Sequence, residues 1–297
     1  MAELKGYGFY GVDVSSGVEK IKGRKDYVKV SKFIKMRKVY DGLTAAFRRN
    51  EGYISAPSYR RIVKKHTTLF ESTDTLYFLL QAAGYPITED GENYRLESFF
   101  ESYAEQKYCV IDIETNGSKP ETAQVIEVGA VMVQNGEIID RFESFVECAY
   151  LPEYISKITG IVPEDLINAP TRLDVLTKLR VFMEDAVFVA HNANFDYSFL
   201  NHSFDRFGLG SIGNQKLCSI DLARRTIKSE RYGLAYLSES LELGDHVHHR
   251  AFSDAMTTAN LLALTFQNLP PYVQTTDELL RFSTSSRKER TDNKKYY

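Results

Sequence analysis

Apolar positions change period along the chain, and each change marks a different kind of element. From Val28 to about Asn50 they recur at helical spacing, and a second helical stretch begins at Pro57-Ser58 and runs through Arg61 to Phe70. Thr73-Asp74 reads as the cap of a third helix that reaches Ala83 and stops at Gly84. The residues around the Asp90-Gly91 turn, Ile87-Thr88 before it and Tyr94 to Leu96 after it, predict a hairpin. Residues 97–107 read as a helix or linker. After them come three predicted strands, Tyr108 to Thr115, Val125 to Gln134 and Ile138 to Glu147, with Asn135-Gly136 as a tight turn between the last two. Helices are expected near 152–158, 171–184, 194–207, 220–227, 233–242 and 251–267, and short strands at 186–190 and 217–220. A meander followed by alternating helices and strands predicts an α/β fold, a mixed sheet with helices on its faces.

This pattern divides the chain into an N-terminal accessory domain at 1–105, an α/β domain at 106–271 and a tail at 272–297. The first is small, mainly helical and winged-helix-like in its order of helices and hairpin. Its hairpin turn, Glu89-Asp90-Gly91-Glu92, is acidic, which argues against its lying on DNA phosphates. The tail holds one amphipathic turn, Asp277 to Phe282, and then becomes polar and basic through Arg287, Lys288, Arg290, Lys294 and Lys295. It is expected to be partly disordered.

Charge sharpens the division. The chain of 297 residues has a net charge of −3, but residues 108–280 carry 24 Asp/Glu against 13 Lys/Arg, while both flanks are basic. A basic cluster, Lys20, Lys22, Arg24, Lys25, Lys29, Lys32, Lys35, Arg37 and Lys38, reads as a solvated face or as a contact surface for nucleic acid or an acidic partner. An acidic middle holds a polyanion only with bound cations or basic help from its flanks. Cys109, Cys148 and Cys218 are scattered, which argues against both a disulfide framework and a zinc site. No apolar run approaches the roughly 20 residues that span a bilayer. Met1 to Tyr10 lacks the pattern of a signal peptide, so no membrane association and a cytoplasmic location are expected.

The chemistry lies in three short motifs. Asp112 and Glu114 are two apart on a predicted strand and share one face. They fit either a buried strand whose carboxylates await hard divalent cations or an edge strand whose acids face water. His191 to Asp196 follows the strand Val187 to Val189, where ligands commonly bind in α/β sheets. Asn192 or Asn194 can cap the next helix, with Asp196 in its first turn. His249 precedes the helix that carries Asp254. His246 and His248 compete as candidate bases, and the five-residue offset to Asp254 singles out His249.

The segments Asp112-Ile113-Glu114-Thr115, His191-Asn192-Ala193-Asn194-Phe195-Asp196 and His249-Arg250-Ala251-Phe252-Ser253-Asp254 resemble the three motifs of the DnaQ-like, DEDDh-type 3′–5′ exonuclease family, with its proofreading epsilon subunits as the nearest type. Ile158 to Ile161 and Asp221 to Arg225 are similar to supporting segments of that family. The resemblance covers about 106–270 and leaves the N-terminal region out.

It implies a ribonuclease-H-like fold with a five-stranded sheet. It also implies two divalent metal ions, Mg or Mn, on Asp112, Glu114, Asp196 and Asp254, with His249 as general base. The implied reaction is hydrolysis from the 3′ end of single-stranded or frayed DNA, releasing nucleoside 5′-monophosphates in proofreading or repair, alongside a DNA polymerase. Substrate contacts are expected from Thr115, Asn192, Thr159, Gly160 and Ile161. Phe195 reads either as a stacking aromatic or as core. Two alternatives stay open: an exoribonuclease that trims RNA ends, and a non-catalytic scaffold that binds nucleic acid or a partner.

Overall fold

The computed structural model describes residues 19–21, 24–25, 36–66, 73–244 and 249–285. The side chains of the basic cluster before Arg37, the expected helix start at Val28, the end of the second helix at Phe70, His246, His248 and the basic tail lie outside the described residues. Two short strands, β1 (Glu19–Ile21) and β2 (Arg24–Lys25), pair antiparallel. No described helix is long and apolar enough to cross a membrane.

The chain forms two compact units, and neither is one stretch of sequence. The first takes residues 1–97, 173–185 and 200–215. It contains α1 (Met36–Arg49), β3 (Tyr53–Ser55), α2 (Ala56–His66), α3 (Thr73–Ala82), β4 (Ile87–Asp90), β5 (Asn93–Leu96) and most of α6 (Arg172–Met183). Val39, Leu43 and Phe47 recur every four residues on α1 and are fully buried, which gives the helix its inner face. The strands make an antiparallel sheet in the order β3-β5-β4. Strand β3 was not expected, because three residues after Gly52 are too few to show a period. The buried ring of Tyr59 stacks on Tyr94 at 4.2 Å. The later segments belong here because Arg180 of α6 lies over the Phe204 ring at 4.4 Å and donates to the carbonyls of Ala83 (3.2 Å) and Gly210 (2.9 Å).

The second unit takes residues 98–172, 186–199 and 216–297. Its strands are β6 (Tyr108–Thr115), β7 (Val125–Gln134), β8 (Glu137–Phe145), β9 (Val187–Ala190) and β10 (Lys216–Cys218). They form the expected mixed five-stranded sheet in the order β10-β9-β6-β7-β8. Strands β6, β7 and β8 run antiparallel as a meander, while β9 and β10 join parallel to β6 and to each other. The turn from β7 to β8 uses Asn135 (φ 53°) and Gly136 (φ 77°), both in the left-handed region that a two-residue hairpin demands.

Between β8 and β9 lie α4 (Glu153–Thr159), the short α5 (Pro163–Ile167) and α6. After β9 come α7 (Ala193–Arg206), α8 (Ser219–Thr226), α9 (Leu234–Ser240), α10 (Ala251–Phe266) and α11 (Thr276–Thr284). Tyr108, Val110, Val131, Val187, Val189 and Leu262 join in one core with Leu279, Leu280 and Phe282 of α11. The last three correct the expectation of a tail from residue 272. Thr275 and Glu278 form a reciprocal capping box, and the helix they start is packed into the core of this unit.

Candidate active site

Strand β6 is the middle strand of the five, so Asp112 and Glu114 stand on a central strand and not on an edge. Alternation puts both on one face. Across the ladder Asp112 faces Gly129 and Glu114 faces Glu127 on β7. Strand β9 reaches only as far as Val110 on β6, so the chain leaves the sheet just short of Asp112. It turns at Asn192, whose φ of 75° is left-handed, and enters α7 at Ala193 with Asp196 in the first turn.

The third motif is held by a close approach. A Cβ built on Gly129 would overlap the backbone of Ala251 and Phe252, so only glycine lets the start of α10 lie against β7 beside Asp112. His249, just before that helix, also has a left-handed φ of 63°, a costly conformation for a non-glycine residue. Its amide donates to the Asp254 carboxylate at 3.2 Å. The ring of His249 and the carboxylates of Glu114 and Asp254 bring ligand atoms within 4.8 Å of one another.

Electrostatics tie Asp112 and Asp196 to this group. Burial pushes the Asp112 carboxyl well above its ordinary range, and the charges of Asp196, Asp254, Glu114 and Glu127 add to the push. Glu114 is raised to about 7, again by burial first and then by Asp254, Glu127 and Asp196, with Arg250 opposing. Asp196, only 3% exposed, is raised to about 7 by burial, against hydrogen bonds from its own amide and that of Ile113. Carboxylates that lie buried beside one another in low dielectric are stabilised as anions by added positive charge. An all-oxygen donor set of this kind, with one imidazole beside it, fits hard divalent cations.

A fifth acid escaped the sequence reading. Glu127 is 5% exposed and faces Glu114, yet it is neutralised within the protein. Its carboxylate accepts from Arg250 Nη2 (2.8 Å), Arg250 Nε (3.1 Å) and the Ala251 amide (3.1 Å). A forked ion pair of this geometry fixes both partners, and here it fixes the residue that follows His249. The available signal was a lone acid inside the apolar run Val125-Ile126-Glu127-Val128.

His191 is likewise structural. Its Nε2 meets the Tyr232 carbonyl at 2.9 Å and its Nδ1 meets the Ser219 hydroxyl at 2.9 Å. A carbonyl only accepts, so Nε2 carries the proton, Nδ1 accepts from Ser219, and the ring is neutral. Burial lowers its pKa to about 4.

The expected substrate contacts fall into two groups. Asn192 is exposed at the end of β9, and Phe195 is 36% exposed with its ring 5.7 Å from Phe199. Thr115, by contrast, is 9% exposed and donates to the Gly117 carbonyl at 2.8 Å. Thr159 is 5% exposed; its hydroxyl donates to the Ile155 carbonyl and accepts from the Ile161 amide. Gly160 ends α4 in the left-handed conformation. Ile161 is 1% exposed and packs with Ile126, Cys148 and Leu166, so its side chain serves the core instead of reaching a base.

The exonuclease family model matches residues 109–262 and so spans all three motifs. The chain belongs to the exonuclease family. Residues before 109, including the N-terminal helices and hairpin, lie outside that match. A second family model, N-(5′-phosphoribosyl)anthranilate isomerase, matches only residues 1–36, almost all outside the described residues. DNA polymerase III PolC-type from Staphylococcus aureus is 38% identical over 165 residues, which is 54% of this exonuclease and 11% of that polymerase. The exonuclease therefore spans a small part of the curated relatives it matches.

Among solved structures, the zinc-bound complex of E. coli ExoI with single-stranded DNA aligns with a TM-score of 0.51 at 16% identity, over 56% of this chain and 42% of that one. Exonuclease X in complex with 5′ overhanging duplex DNA aligns with a TM-score of 0.47 at 24% identity, over 59% of this chain and 99% of that one. The likeness to ExoI establishes the ribonuclease-H-like fold of the exonuclease region.

Proposed function

We propose that this exonuclease removes nucleotides from the 3′ end of DNA in a metal-dependent reaction and serves proofreading or repair. The observation that carries the reading is the convergence of Glu114, His249 and Asp254 within 4.8 Å, beside Asp112, whose carboxyl is raised by burial and by the neighbouring acids, and Asp196, whose carboxyl is raised by burial. Asp112, Glu114, Asp196 and Asp254 would hold two divalent cations, Mg or Mn. Bound there, such ions supply Lewis-acid activation of water and charge stabilisation at the phosphate. The exposed imidazole of His249 takes the proton from the attacking water and passes it to solvent. The Glu127–Arg250 ion pair holds the segment on which that imidazole is mounted.

The substrate class follows from the relatives, whose names and titles concern a DNA polymerase and complexes with DNA. The polymerase among them supports association with a DNA polymerase. Asn192 and Phe195, exposed beside the acids, are the proposed contacts for the terminal nucleotide, with the backbone around Thr115 and Gly160 lining the approach. The remaining N-terminal elements form an accessory, winged-helix-like module by their order of helix, strand, two helices and hairpin.

The test is time-resolved digestion of a 5′-labelled single-stranded DNA with Mg²⁺ or Mn²⁺, beside an RNA of the same sequence. A 3′-end ladder on DNA, lost with EDTA and with Asp112→Ala, is the expected result. A ladder on RNA alone would move the enzyme to RNA trimming. No ladder on either strand, from folded protein with metal present, would sink the enzymatic reading.

A further inference from the structure

The cations of the first compact unit are concentrated on two helices. Between residues 36 and 66 the chain has eight Lys/Arg and two Asp/Glu. Three of these cations border a cleft of about 490 Å³ between α1 and α2: Arg49 in the last turn of α1, and Arg61 and Lys65 on α2. Ala46, Ile54 and Ile62 form its floor, and no Asp or Glu lines it. All three cations are exposed, and none makes an ion pair among the described residues. Arg61 and Lys65 are four apart on one helix, where like charges repel.

An aliphatic floor under a cationic rim suits a ligand that is itself two-faced. A nucleotide is such a ligand: base and sugar cover the floor while the phosphate meets the guanidinium groups. A free phosphate would leave the floor uncovered. The volume lies within the roughly 300–1,000 Å³ of small-ligand sites, enough for one such unit and not for a folded partner. Charge elsewhere in the chain points the same way. Residues 108–280 carry 24 acids against 13 bases and repel a polyanion, so a strand must be held by some other part of the protein.

We propose that the cleft between α1 and α2 binds one nucleotide of a nucleic-acid strand, as a holding site separate from the residues proposed to cut it. The inference rests on the exonuclease reading only in taking nucleic acid as the ligand. Binding is therefore measured in EDTA, where nothing is cleaved.

The experiment is fluorescence anisotropy of a labelled 30-nucleotide single strand with the full chain, as wild type and as Arg49→Ala/Arg61→Ala/Lys65→Ala. A control, Lys157→Ala/Lys178→Ala/Lys228→Ala, removes the same charge from elsewhere. The cleft variant is expected to weaken Kd at least 10-fold. Losing the contact to that one phosphate lowers the slope of log Kd against log salt by about 0.7. The control is expected to change Kd less than 3-fold. A second readout needs no loss of charge. The chain has no tryptophan, so Ile62→Trp places a single indole on the floor of the cleft. Its emission is expected to be quenched by the DNA strand and not by poly-glutamate. Equal weakening by both triple variants, an unchanged Kd in the cleft variant, or quenching by poly-glutamate alone would overturn the proposal. Cleavage of thymidine 5′-(p-nitrophenyl phosphate), which needs only the proposed cutting site, is expected to be unchanged in the cleft variant.

Discussion

Near the end of β6, Asp112 and Asp196 are held out of water with their carboxyls pushed upward by burial, and Asp112 by the neighbouring acids as well; between α1 and α2, three cations of like charge stand in water around an aliphatic floor. Both places concentrate one sign of charge, but at different cost. Water screens exposed like charges well, so the basic cleft is nearly free to maintain. Buried like charges strain the fold until a counter-ion arrives. The fold carries that strain among Asp112, Glu114 and Asp196, and Glu127 shows how it avoids adding to it. Two residues face each other across β6 and β7; Glu114 is raised to about 7, while Glu127 is matched by Arg250 and the Ala251 amide. The acid with a protein partner is a brace. Asp112, Glu114, Asp196 and Asp254 are the proposed cation holders.

Substitutions test this distinction, and the largest effect is expected at the buried acids. Asp196→Asn should lower kcat by about 10³-fold or more, since it removes a proposed ligand for the charge that activates water. The same change should raise the stability of the metal-free protein at pH 8 by about 1–3 kcal/mol, because it deletes a buried anion. Thermal melts in EDTA read this directly, and a destabilised variant would contradict the account. Glu127→Ala should act in the opposite sense on stability. It leaves Arg250 and the Ala251 amide without their acceptor, at about 3 kcal/mol, and it should lower kcat about 10²-fold by loosening the His249 segment. Urea denaturation alongside kcat would expose an error if stability fell and turnover did not.

His191 offers a pH test of comparable size. Its folded pKa of about 4 lies below the unfolded value of 6.5. The unfolded chain therefore takes up a proton first as pH falls. The stability this residue contributes is complete above about pH 6.5 and is lost toward pH 4, by about 3 kcal/mol. His191→Gln should flatten that limb of the stability profile. The smallest effect is expected at Lys157–Glu153, a pair at 2.7 Å whose side chains are 72% and 83% exposed. Lys157→Ala should change stability by less than about 0.5 kcal/mol, and a larger loss would blur the line drawn between buried and exposed pairs.

What was legible in the sequence follows from range. Asp112 and Glu114 declared a shared face because strand alternation is local, and Asp196 and Asp254 declared themselves by their place in a first helical turn. Glu127 could not, because its role depends on the register between β6 and β7 and on Arg250, 123 residues away. The burial of Ile161 was hidden for the same reason, since its packing against Ile126 and Leu166 is set across the unit. The capping box at Thr275 and Glu278 was present in the sequence, but the polar residues after it led the whole segment to be read as a tail. The two compact units also do not follow the chain. Residues 173–185 and 200–215 join the first through contacts such as Arg180 with Ala83, which no pattern of hydrophobic positions announces.

The seat that Gly129 offers to the start of α10 also bears on the order in which the enzyme becomes dangerous. Synthesis runs from the N-terminus, so β6 and β7 emerge long before Ala251 and Phe252 can lie against that glycine. Until they do, His249 and Asp254 are absent from the group around Glu114. A nascent or truncated chain ending before residue 249 carries the first two motifs and neither His249 nor Asp254. The group proposed to cut DNA ends is in this way incomplete until the segment that begins at His249 has been made.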